Sequence, residues 1–280
     1  MSTSLSSVAN TEFDSEVKQA YQGSGKLRGA VTLRTGVVGD TYKFRKMGKG
    51  YAQQRAAPSS DVTPMNVAHT QQTATLTNWY APEYTDIFDA QEVNFDEQRE
   101  LAQAIAGALG RREDALIIDA IDDTTGIAGT VSEDIGGTNS NLNVDKLRRA
   151  NRYLGAKGVP KGDRYIAHTA AQMEGLLGET EATSSDFNTV KALVNGELNS
   201  FVGFQFIELE DRDEGDLPDE SSEQRAFAWH KAAVGHAVGL DIRQETNYIP
   251  TKTSWLANGI LKCGSVGRDA DGIVEIECIE

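Results

Sequence analysis

Cysteine is nearly missing from this chain. Cys263 and Cys278 are the only two in 280 residues, fifteen apart and outside any Cys-x-x-Cys pairing. A disulfide framework and a zinc ribbon are thereby excluded, and two reduced, partly buried thiols of a cytosolic protein are expected. Long apolar runs are missing too. Nothing approaches the roughly 20 residues that cross a bilayer, and Met1 to Ser7 lacks the charged and apolar regions of a signal peptide, so no membrane partner is expected.

Histidine is scarce too, at four residues. His69, His168, His230 and His236 never fall at helical ligand spacing from one another and accompany no Gly-x-Ser-x-Gly elbow. They read as ordinary hydrogen-bonded residues rather than ligands or bases. Gly23-Ser-Gly-Lys26 resembles the end of a phosphate loop, but Ala20 and Leu27 stand where a glycine and a hydroxyl residue are required. Asp211, Asp213 and Asp216 approach a calcium loop, yet Gly215 precedes Asp216 and Ser222 takes the twelfth place. No catalytic residue, cofactor or metal site is therefore assigned.

Positive charge is short overall, 27 Lys and Arg against 42 acids, and what there is clusters. From Lys26 to Arg55 eight basic residues face one acid, Asp40, so this stretch carries +7 and the remainder −22 of the net −15. An acidic surface repels nucleic acid and argues against a general DNA-binding protein. Lys26, Arg28, Arg34, Tyr42, Lys43, Arg45, Lys46 and Lys49 are the candidates for contact with acidic groups of another copy of the chain. A solvated face ranks second and phosphate contact third, since few aromatics interleave the charges.

Along the chain, Glu12 to Tyr21 repeats Phe13, Val17 and Tyr21 at a spacing of four, a short helical arm that needs a neighbour to rest on. Val31 to Thr35 and Thr41 to Lys46 alternate as strands about a turn at Gly36 to Asp40, and Gln71 to Trp79 returns the chain. Together they predict a long two-stranded excursion with a basic outer face, marginal alone. Asn94 and Glu97 form a capping-box pattern that opens a helix to Asp122. Residues 123–143 read as a Gly/Ser/Thr/Asn linker. Helix 144–157, strand 164–168, helices 170–178 and 186–195 and strand 200–209 follow as an α+β unit. After an acidic loop, Glu208 to Glu223, come strand Ala226 to His230, a small helix to about Leu240, and a returning strand pair near 256–263 and 272–278.

Several stretches in this order resemble the tailed-bacteriophage major capsid proteins of the Hong Kong ninety-seven-like fold. They are Lys26-Leu-Arg-Gly29 followed by Gly36 to Gly48, then Ser200-Phe-Val-Gly-Phe-Gln-Phe-Ile207, and Ala226-Phe-Ala-Trp-His-Lys231 with Ala233-Val-Gly after it. The resemblance spans about residues 13 to 279. It implies an α+β capsid subunit with no enzymatic role: an arm at 1–25, an extended loop at 26–78 and a peripheral domain with its spine helix and linker at 79–142. An axial domain would occupy 143–240, and 241–280 would return to the peripheral domain. It implies pentamers and hexamers closing an icosahedral shell around double-stranded DNA, assembled in the host cytoplasm, with a portal protein. A separate scaffolding protein is expected because no long N-terminal segment is present to serve as one. An encapsulin-like cargo compartment and a soluble enzyme of unknown reaction are the alternatives.

Overall fold

The computed structural model describes residues 24–55, 57–59, 61–86, 97–179, 200–210, 214, 216–220 and 223–279. The arm helix, the cap at Asn94, helix 186–195 and part of the acidic loop lie outside them. Strands β1 (Thr32–Thr35), β2 (Thr41–Met47), β3 (His69–Thr75) and β4 (Thr77–Asp86) precede helix α1 (Glu97–Asp122). Then come β5 (Gly129–Val131), α2 (Val144–Ala156), β6 (Arg164–His168), α3 (Ala170–Leu177), β7 (Ser200–Phe201) and β8 (Phe204–Glu208). The chain closes through β9 (Asp219–Glu220), β10 (Glu223–His230), β11 (Val234–Ile249), β12 (Ser254–Gly267) and β13 (Ile273–Ile279).

Two sheets share α1. The first has four strands in the order β1-β11-β12-β4, the second seven, with β5-β13-β10-β6-β8-β7 in sequence and β9 beside β10. At 26 residues α1 is about 39 Å long, enough to lie across both. Its first half presses Ile105 and Leu109 onto Val238, Ala257 and Leu261 of the four-stranded sheet. Its second half buries Ile117, Ile118 and Ile121 against Phe227, Trp229 and Ile273 of the seven-stranded sheet. The other face of that sheet packs Ile166, Ala228, Val274 and Ile276 on Leu147 and Leu154 of α2 and Met173 and Leu176 of α3.

Local chemistry starts the two shorter helices. Asn143 caps α2, its side chain accepting from the Lys146 amide at 2.8 Å. Thr169 and Gln172 form a full capping box on α3. Lys146 is buried, donating to the carbonyls of Ser140 and Glu277 at 2.5 and 2.8 Å, and burial lowers its pKa. Val202 and Gly203, at φ of 50° and 84°, make the turn that breaks the expected strand 200–209 into the β7–β8 hairpin.

Four expectations need correction. Residues 234–240 are strand rather than helix. Their small side chains suggest a helix, but they are small because other groups sit on them: a methyl at Gly235 would lie 2.8 Å from the Phe44 ring. The excursion is not β1 paired with β2: β1 runs parallel to β11, and β2 pairs antiparallel with the returning β3. The turn-rich segment 123–143 does not merely link, since β5 lies parallel to β13 and Val131 and Leu142 are fully buried. The strands near 256–263 and 272–278 are not partners: β12 lies in the four-stranded sheet and β13 in the seven-stranded one.

Candidate interaction surface

The β2–β3 hairpin sits on the four-stranded sheet, on the face opposite α1. Phe44, Ala74 and Leu76 are buried with Ala237, and Val37, Tyr42 and Val266 close the cluster. Tyr42 meets Phe44 edge-on at 4.8 Å between ring centres. The seat is built of glycine. At Gly264 a methyl would fall 2.0 Å from the Thr75 carbonyl oxygen, and at Gly239 it would meet Leu76 at 3.0 Å. Side chains of alternating parity on β2 point away from this seat, which leaves Lys43 and Arg45 exposed.

Of the eight sequence candidates Tyr42 lies in the seat, and the seven cations divide into two groups. Lys26, Arg28, Lys46 and Lys49 find acids on the same chain. Lys26 Nζ is 2.5 Å from Glu210 and donates to the Glu208 carbonyl at 2.9 Å. Arg28 forks onto Asp241 with two contacts of 2.8 Å and lies 3.5 Å from Glu113. Lys46 reaches Asp269 at 2.5 Å, and Lys49 approaches Asp271 at 4.0 Å. Lys157 joins this group at 2.7 Å from Asp271, and Arg268 donates to the Arg45 carbonyl at 2.8 Å. The far end of β2 is thus clasped to the turn before β13, beside a cleft of about 600 Å³ lined by Lys46, Lys157, His230 and Asp269.

The second group faces outward. Arg34, Lys43 and Arg45 are exposed and make no ion pair among the described residues, although Arg34 stands 6.0 Å from the Tyr42 ring centre. Arg55 is exposed on the loop beyond, with Tyr51, Val62 and Met65. A two-stranded ribbon carrying unpaired cations and an apolar tip suits contact with another surface rather than catalysis.

The sequence reading missed a buried polar cluster between α1 and the other face of the four-stranded sheet. Glu113 and Asp114 of α1 are 3% and 0% exposed, and His236 of β11 is fully buried. His236 Nε2 lies 2.9 Å from Glu113 without the alignment of a hydrogen bond, and its Nδ1 is 2.7 Å from Ser265 Oγ. Glu113, His236 and Ser265 span 153 positions of sequence, so no spacing rule could have grouped them. Despite its membership this is no acyl-transfer site: the imidazole is sealed from solvent, and its acid partner is misaligned. Nearby Cys263 is buried, which pushes its thiol up to about 12 and leaves it inert. His168 and His230 are both lowered by burial, His168 lying 2.9 Å from the Thr169 carbonyl and His230 capping the turn at Lys231–Ala233. Among the described residues no three His, Cys, Asp or Glu are placed to hold a metal ion, and no helix is long and apolar enough to cross a membrane.

Comparisons with known proteins agree with this picture. The sequence profile described as phage capsid protein matches residues 5–280. Among solved structures, the chain is similar to the acid-stable capsid of Helicobacter pylori bacteriophage KHP30, at TM-score 0.79 and 10% identity over 99% of this chain and 96% of that one. The capsid of cyanophage P-SCSP1u gives 0.75 and 14% over 100% and 96%. The native GTA particle capsid, computed with C5 symmetry, gives 0.71 and 14% over 99% and 98%. The curated proteins contain no significant match.

Proposed function

This chain belongs to the phage capsid protein family, and from that premise we propose that its copies associate as pentamers and hexamers into an icosahedral shell around double-stranded DNA. It is a structural major capsid protein of the virion, with the α+β tailed-phage capsid fold and self-association as its activity. The observation that carries the reading is the extent of the likeness: the profile and the shell structures cover essentially the whole chain.

In this reading the four-stranded sheet with the first half of α1 is the peripheral domain, and the seven-stranded sheet with α2 and α3 is the axial domain. Division by sheet assigns β5 and β13 to the axial domain. The β2–β3 ribbon is the extended loop. Its contact residues on a neighbouring copy are Arg34, Lys43 and Arg45, whereas Tyr42 packs in the seat and Lys26, Arg28, Lys46 and Lys49 serve inside the subunit. The packaged duplex is met without sequence reading, since the surface is acidic overall. A portal and a separate scaffolding protein are the further partners of this proposal.

The test is electron microscopy of the purified protein, expressed with and without its gene neighbours. Closed particles of uniform size, or capsomers, are expected. A monomer or dimer under all conditions overturns the shell reading, and uniform particles filled with protein instead of DNA overturn its genome-enclosing part.

A further inference from the structure

Residues 24–31 do more than lead into β1. Gly25 crosses α1 at Gly110 so closely that a methyl on either would come within 2.9 Å of backbone: Gly110 O at 2.9 Å from one, Gly25 N at 2.8 Å from the other. One turn later the fully buried Asp114 carboxylate accepts from the amides of Lys26, at 2.9 and 3.1 Å, and Leu27, at 2.9 Å. These are charge-assisted bonds in a dry site, the strong kind.

The segment then grips both sheets. Toward the seven-stranded sheet, Lys26 holds the Glu208 carbonyl and Glu210, just past β8, and Trp229 of β10 donates Nε1 to the Ala30 carbonyl at 2.9 Å. Toward the four-stranded sheet, Arg28 forks onto Asp241 of β11, and β1 follows directly as its edge strand. Leu27, Ala30 and Val31 are almost fully buried in the core that α1 shares with the seven-stranded sheet. The covalent crossings between the sheets are short: Asp123 to Ala128, Lys231 to Ala233 and Arg268 to Gly272. Such connections are suited to act as hinges.

We propose that residues 24–31 are a strap that fixes the angle between the two sheets, so that force on the residues before Ser24 changes that angle. Its consequence for a shell, where one sequence must fit positions of different curvature, rests on the capsid reading; the strap itself does not.

The test uses full-length unassembled subunit carrying nitroxides at Thr246→Cys on β11 and Ala156→Cys on α2, both exposed, while the native cysteines are buried and unreactive. Pulsed electron spin resonance reads the distance between labels, and hydrogen exchange reads the Lys26 and Leu27 amides. Gly110→Ala improves the helix while wedging Gly25 away; Asp114→Asn weakens the two amide bonds. The expected result in both is exchange faster by about tenfold or more and a broadened or shifted distance distribution. Released amides with an unchanged distribution overturn the proposal, as do amides that stay protected in Asp114→Asn. Failure of the shell reading would show separately, as absent particles with the strap results standing.

Discussion

The seating of Phe44 on Gly235 can be measured as a coupling energy. Phe44 is 6% exposed, and its ring atoms lie 2.8 Å from where a Gly235 methyl would be. Truncating a buried phenylalanine to alanine costs about 3–5 kcal/mol where the site cannot collapse. Here the loss is bounded by the free energy of lifting a small ribbon from its seat. Gly235→Ala alone forces a methyl into the ring and costs about 1–3 kcal/mol as overpacking. With Phe44→Ala already present there is no ring to meet. The same methyl then restricts the unfolded chain and returns about 0.4–1 kcal/mol. The double variant is therefore expected to be no less stable than Phe44→Ala alone, a coupling of at least about 1 kcal/mol. Urea unfolding of the unassembled subunit gives the four stabilities, and hydrogen exchange at residues 41–47 and 69–75 reports whether the ribbon lifts. Additivity to within about 0.5 kcal/mol would refute the seating and with it the reason offered for glycine at this position.

Charge reversal at Lys43→Glu together with Arg45→Glu is expected to abolish particle formation while leaving the unfolding free energy within about 0.5 kcal/mol of wild type, because both side chains are exposed and make no ion pair among the described residues. Particles of normal yield would sink the inter-subunit role of this strand. Asp241 and Asp271 are held below the ordinary carboxyl range, first by hydrogen bonds from Arg28 and Lys157. Their contribution to stability is complete above the unfolded value of about 3.9 and is lost as pH falls through the lowered folded values. Thermal midpoints should drop from pH 4 downward, and less steeply in Asp271→Asn; parallel curves would contradict the assignment. Asn143→Ala removes the α2 cap and should cost about 1 kcal/mol in urea, with a loss below 0.2 kcal/mol counting against it.

What could be read from the sequence was what is local. The spans of α1, α2, β6 and α3 followed from local apolar patterning, with a capping-box pattern read only before α1. Pairing was less legible. A strand such as Val31 to Thr35 announces that it is extended, but its partner β11 lies some 200 positions away, and nothing local distinguishes it from β2. The small residues of 234–240 misled because their size answers to Phe44 and Leu76 across space and not to any helical preference. Among the site residues, composition located the basic segment but could not sort Lys46, which meets Asp269, from its neighbour Arg45, which meets none: on a strand, one residue of offset changes the face.

That sorting alters what the charge pattern means for association. If all eight cations of residues 26–55 faced another copy, salt would weaken assembly by screening attraction. With four of them spent inside the subunit, the exposed surface stays strongly acidic, and copies at net −15 repel one another at long range. Added salt screens that repulsion across the roughly 10 Å Debye length at 0.1 M, while the close pairs made by Lys43 and Arg45 would be screened less once buried between subunits. Assembly rate measured by light scattering should therefore rise as ionic strength increases from low values and decline only at high salt. A rate that falls monotonically from the lowest salt would mean that the outward cations dominate the encounter and that the internal pairs of Lys26, Arg28, Lys46 and Lys49 open when subunits meet.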